Sequence, residues 1–125
     1  MSIIAYLSQM IAGAVGAADY GDGTYRIDLD DGSSRAATAA EILAAYKAKR
    51  IAELNLECKT RLIARYGTAE EQVSRSIGVY GVAEQQGMQA GIAATIDASN
   101  AASNVVLGST TIAQVEAVTA TWPVI

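Results

Sequence analysis

The side chains that could do chemistry in this chain are carboxylates, hydroxyls and one thiol, because its 125 residues include no histidine. Without imidazole there is neither a His-based nucleophile and base pair nor a His-Glu zinc motif. Cys58 is the lone cysteine, so thiols can build neither a disulfide nor a zinc site. Its place in an apolar helical stripe marks it as a small buried hydrophobe. Asp19, Asp22, Asp28, Asp30 and Asp31 crowd a short stretch and raise the question of calcium. An EF-hand loop needs Gly at about its sixth position and Glu at about its twelfth. Counted from Asp28, those positions hold Ser33 and Ala39, so turn formation is the better account of these acids. Glu70 and Glu71 are adjacent carboxylates, but they fall in the first turn of a helix, where the helix dipole favours anions. Gly13 and Gly16, or Gly21 and Gly23, lack the following Gly-Lys-Ser/Thr of a phosphate loop. No enzymatic activity, metal or cofactor is expected.

The element around which the chain is organised is a long helix from Ala39 through Tyr66. Leu43, Ile51, Leu54, Cys58, Leu62 and Tyr66 fall in one stripe at about 3.6 residues per turn. Ala45, Ala52, Leu56 and Ile63 form a thinner row on roughly the opposite side. A helix serving one core would leave that row polar. The spacing therefore predicts a helix covered on two sides, one by its own chain and the other by another part of that chain or a second subunit. Simple exposure of Leu56 and Ile63 is the plain alternative. Lys47, Lys49, Arg50, Lys59, Arg61 and Arg65 interleave with Glu41, Glu53 and Glu57, which reads as a solvated, ion-paired face, with a basic strip for an acidic partner as the alternative. Thr38 with Glu41 forms a capping box at the start, and Gly67 provides a left-handed stop.

Before this helix, Ile3, Ile4, Leu7, Met10, Ile11, Ala14 and Val15 stand at helical spacing in a nearly uncharged run, Ser2 to Ala18. No Lys or Arg precedes Arg26, so a secretory leader is not expected, and Ser8 with Gln9 interrupts a membrane span. The run predicts an apolar helix, with a strand over Ser2 to Leu7 as the alternative, buried in an assembly. Tyr25, Ile27 and Leu29 alternate with Arg26 and Asp28, Asp30-Asp31-Gly32 makes a turn, and Ser33 to Ala37 returns as the second arm of a hairpin.

After Gly67, Thr68 with Glu71 caps another stretch whose apolar stripe includes Val73, Ile77, Met88, Ile92, Ala102 and Val106. The short joint implies an antiparallel pair with the first helix. A bend or break is expected near Gly78–Gly81 or Ser103-Asn104. Gly87 and Gly91 would share a face approached by another backbone. Thr111 with Gln114 caps a short final helix, and Trp122-Pro123 follows as a docked tail or, alternatively, a binding aromatic. The expected fold class is mainly α: a long antiparallel helical hairpin with an apolar N-terminal helix, a small β-hairpin and a short C-terminal helix. It divides into an assembly segment at 1–18, a turn and hairpin at 19–37 and a helical domain at 38–125.

The net charge of −4 argues against nucleic acid as a partner, since phosphate contacts need a basic surface. Hydrophobic residues make up 51% of the chain, but many are Ala and none is Phe, so a core of small residues points to oligomerisation. The expected interface comprises Ile3, Ile4, Leu7, Met10, Ile11, Ala45, Ala52, Leu56, Ile63, Gly87, Gly91 and Trp122.

Several of these patterns together resemble the short tail-fibre-associated proteins of bacteriophages and prophages. The matching stretches are Tyr25-Arg26-Ile27-Asp28-Leu29-Asp30-Asp31-Gly32, then Lys49-Arg50-Ile51-Ala52-Glu53-Leu54-Asn55 leading to Cys58, and Ile112-Ala113-Gln114-Val115-Glu116-Ala117-Val118 before Trp122-Pro123. The resemblance covers roughly residues 25 to 66 and 108 to 123, in helix and turn patterns and not in chemistry. It implies a structural protein of the virion tail, made in the bacterial host cytoplasm, acting as a small adaptor that contacts copies of itself and other tail or fibre proteins. A fibre-assembly chaperone absent from the particle, and a host-side regulatory or antitoxin-like binding protein, are the competing classes.

Overall fold

The computed structural model describes residues 2–74 and 81–123. The chain is mainly α, with one small antiparallel sheet. Its elements are α1 (Ile3–Met10), β1 (Ala14–Asp19), β2 (Tyr25–Leu29), β3 (Ser34–Ala36), α2 (Ala39–Tyr66), α3 (Ala69–Ser74), α4 (Val82–Gly108) and α5 (Ile112–Ala117). Contacts divide them into two units, Met1–Ile51 with Val106–Ala117, and Ala52–Val105 with Val118–Ile125. This division differs from the three segments expected at 1–18, 19–37 and 38–125, because the N-terminal residues join the hairpin in one sheet.

In the first unit, the Ser2 hydroxyl accepts from the Ala5 amide at 3.4 Å and so caps α1. The helix does not run on to Ala18. Ile11 is already extended, and Gly13 takes φ 78°, a left-handed conformation that costs little without a Cβ. The small residues that follow then pair with β2: Ala17 lies opposite Ile27, Ala18 opposite Arg26 and Asp19 opposite Tyr25. The predicted hairpin is present as β2 and β3, but it forms part of a sheet ordered β1-β2-β3. Alternation along β2 buries Tyr25 and Ile27, which meet Ile3 and Leu7 of α1 and Ile42 and Ala45 of α2. Burial of each large side chain is worth about 2 kcal/mol, against modest burial for alanine. Ile112 of α5 packs against the same cluster, Val115 is fully buried, and the Lys47 ammonium donates to the Leu107 carbonyl at 2.8 Å.

The capping box at the head of α2 is complete. Glu41 N–H donates to Thr38 Oγ1 at 3.1 Å, and Thr38 N–H donates to Glu41 Oε1 at 2.9 Å.

In the second unit, α2 buries Leu54, Cys58 and Tyr66, three members of the predicted stripe. Gly67 has φ 87° and ends the helix where expected. The Thr68 hydroxyl accepts from the Glu71 amide at 3.3 Å and opens α3, with Glu70 and Glu71 in its first turn. Gly81 has φ 88° and immediately precedes α4. The rest of the expected break near Gly78, together with Ile77 and Tyr80, lies outside the described residues. The alternative break does not occur, since α4 continues through Ser103 and Asn104 to Gly108. Met88, Thr95, Ser99 and Ala102 line the buried side of α4, so two hydroxyls share the stripe with apolar side chains. The Thr95 hydroxyl is satisfied by the Gly91 carbonyl at 2.8 Å. Among the described residues, no helix is long and apolar enough to cross a membrane.

Candidate interaction surface

Five of the expected interface residues are on or just after α1. Ile3 and Leu7 are buried in the core of their own unit, and Ile4 and Ile11 are partly buried against it. This corrects the expectation that the N-terminal segment is covered by other molecules: Ile3 and Leu7, one turn apart, have Tyr25 and Ile27 to cover them. Met10 alone remains outside, at 48% exposure. Ala45 is also fully buried in that core and is not available to a second subunit.

Beside Met10 is a shallow depression of about 360 Å³ lined by Met10, Ile11, Ala12, Arg35, Glu41 and Ala44. Its polar groups are already occupied. The Arg35 guanidinium grips the Glu41 carboxylate at 2.7 and 2.8 Å, and the Thr38 amide donates to the same carboxylate. Arg35 first, then the Thr38 amide, hold the Glu41 carboxyl down at about 2. A carboxylate so stabilised as an anion is a poor proton carrier near neutral pH. Deeper in the unit, the Tyr25 and Tyr46 hydroxyls lie 3.3 Å apart, and that hydrogen bond, reinforced by burial, pushes Tyr25 up to about 12.

The aspartates have local work. Asp19 accepts from the Gly21 amide at 2.7 Å, Asp22 from the Thr24 amide at 3.0 Å and Asp31 from the Ser33 amide at 2.8 Å. Each side chain thus closes a turn two residues on. Asp28 pairs with Arg26 at 2.8 Å. Among the described residues, no group of three or more acidic or thiol side chains is arranged to hold a metal.

In the second unit the thin row of α2 stays open: Ala52 is exposed, Leu56 is 64% exposed and Ile63 is 42% exposed. On α4, Ile96 and Val105 are also large exposed apolar side chains. The two glycines do not share a backbone approach. Gly91 faces the Tyr66 hydroxyl so closely that a Cβ there would overlap it, whereas a Cβ on Gly87 would meet nothing within 4 Å. The close neighbour of Gly91 is therefore a side chain of its own unit, and Gly87 has none within 4 Å among the described residues.

Trp122 is docked. Its indole N–H donates to Glu57 Oε1 at 2.8 Å, and the Arg61 guanidinium stands 4.8 Å from the ring centroid. Arg61 also pairs with Glu57 at 3.3 Å, so tail, acid and base form one cluster on the α2 surface. Cys58 is buried, with its thiol 3.9 Å from the Thr95 carbonyl.

Of the expected surface, the structure leaves Met10 exposed in the first unit and Ala52, Leu56 and Ile63 in the second, with Gly87 open and Trp122 half-buried. The remainder of the expected set is taken up by internal packing. Sequence reasoning missed the exposed Val15 of β1 and Ile96 and Val105 of α4. The spacing of the N-terminal run places Val15 in a helix, and Ile96 and Val105 lie off the apolar stripe of α4. Comparison with family models, curated proteins and solved structures finds no match to this chain.

Proposed function

We propose that this protein is a structural component of a phage tail, a small helical adaptor of the tail-fibre-associated kind that works through protein contacts. The observation that carries the proposal is the apolar row of Ala52, Leu56 and Ile63 left open on α2. A helix with one row packed and another uncovered suits a part designed to be held from outside. The tail assignment comes from the sequence resemblance. In support of the finer architecture, Cys58 meets Thr95 and Tyr66 meets Gly91, the order in which an antiparallel α2 and α4 would meet. Within this reading, Met10, Leu56 and Ile63 are the residues that contact neighbouring proteins, and Ile3, Leu7 and Ala45 hold the adaptor itself together.

Mass spectrometry of purified particles from a host producing the protein provides the test. Stoichiometric copies in the particle are expected. Production in the infected cell with absence from the particle would refute the adaptor role and assign the protein to fibre assembly.

A further inference from the structure

The β1 strand forms one edge of the sheet, and the ladder fixes which of its backbone groups face outward. The Tyr20 amide donates to the Thr24 carbonyl at 3.1 Å, and two residues back Ala18 lies opposite Arg26. In an antiparallel pair this alternation turns the N–H and C=O of Ala18 toward β2, and those of Ala17 and Asp19 away from it. The register shift between Ala14 and Gly16 ends the regular ladder at Val15, so the usable edge is Ala17 to Asp19. The opposite edge is blunted. On β3, Arg35 donates to the Ala36 carbonyl at 3.1 Å while also holding Glu41, so an outward carbonyl is already taken. The usable stretch of β1, Ala17 to Asp19, carries no Lys, Arg or Pro, residues that commonly protect an edge.

We propose that this edge pairs with the same edge of a second copy of the chain, antiparallel about a two-fold axis at Ala18, joining two sheets into one. Outward amides and carbonyls on an extended strand are matched by another extended backbone. Ala17 of each copy then lies opposite Asp19 of the other, giving about four backbone hydrogen bonds. Asp19 is the only charge on β1, and antiparallel pairing sends the two copies of it to opposite ends, whereas parallel pairing would set them side by side. At the axis Ala18 meets Ala18, with no side chain larger than a methyl group to keep the strands apart. Because the β3 edge is capped, pairing stops at two copies and the assembly closes. The proposal rests on the strand edge and is independent of the tail assignment.

Sedimentation equilibrium of the full chain provides the test, with Ala18→Lys and Ala18→Cys as variants. Wild-type protein should approach twice its 12.9 kDa mass as concentration rises. Ala18→Lys, which sets like charges opposite each other on the exposed face, should weaken association by at least about tenfold with an unchanged circular dichroism spectrum. Oxidised Ala18→Cys should give a covalent dimer cross-linked at position 18 in both chains. Overturning results are a wild-type monomer throughout, a dimer as tight in Ala18→Lys, or a dimer in which position 18 does not cross-link. Slowed amide exchange at Ala17 and Asp19 only when a different protein is added would assign the edge to that protein and also overturn self-pairing.

Discussion

Gly87 and Gly91 stand one helical turn apart on α4, yet alanine at the two sites should act in opposite directions. At Gly87 the added methyl meets nothing within 4 Å among the described residues, so the backbone effect dominates, a gain of about 1 kcal/mol for Ala over Gly inside a helix. At Gly91 the same gain is opposed by overlap with the Tyr66 hydroxyl, and the ring carbon that bears it lies 2.9 Å from the new Cβ. Tyr66 is 6% exposed, so any shift of the ring away from the new methyl disturbs packed neighbours. Overpacking of this kind costs about 1–3 kcal/mol. Gly91→Ala should therefore fall between neutral and about 2 kcal/mol destabilised, leaving a gap of about 1–3 kcal/mol between the two variants. Urea unfolding followed by far-ultraviolet circular dichroism would measure both. Repeating Gly91→Ala on a Tyr66→Phe background removes the overlapping oxygen and should shrink the penalty, as a double-mutant cycle would register. Equal stabilisation by alanine at both sites would refute the close approach of Tyr66 to Gly91.

Two further predictions concern α2. Leu54→Asp places a charge in a fully buried site and should abolish folding, while Leu56→Asp should leave a helical protein that is no longer incorporated into tail particles; circular dichroism with mass spectrometry of purified particles separates them, and equal loss of helix would refute the distinction. Glu41 sits at about 2 in the folded chain against an ordinary 4.5, so its contribution is fully present above about pH 4.5 and is lost as pH falls toward 2. Glu41→Gln should therefore cost about 1 kcal/mol at neutral pH and flatten the acid limb of a stability profile between those values, because both the ion pair with Arg35 and the reciprocal cap are weakened.

The ends of α2 were legible because Thr38, Glu41 and Gly67 act locally, through bonds and a backbone conformation that need no distant partner. The β2 and β3 arms were legible for a similar reason, since alternation and the Asp-Gly turn are encoded within a few residues. β1 was not. Ala14 to Ala18 is three alanines with one valine and one glycine, and alanine favours a helix and gives a strand no alternating pattern, so the outcome turns on Gly13 and on pairing with a strand some ten residues on. The buried side of α2 was read correctly at Leu54, Cys58 and Tyr66. Near its start, Ile42 and Ala45 enter the core instead, drawn by α1 and a sheet whose β1 strand has no alternating pattern to announce it. The expected interface has the same origin: Ile3 and Leu7 look uncovered in the sequence because their partners Tyr25, Ile27, Ile42 and Ala45 come from elements that meet only in the folded unit.

Trp122 is the only tryptophan in the chain, and its indole sits on Glu57 beneath Arg61. The molecule thus carries a built-in fluorescent gauge of whether its C-terminal tail is seated. A ligand competing for the Glu57 and Arg61 side chains would have to evict the ring, and the emission would shift as it entered water.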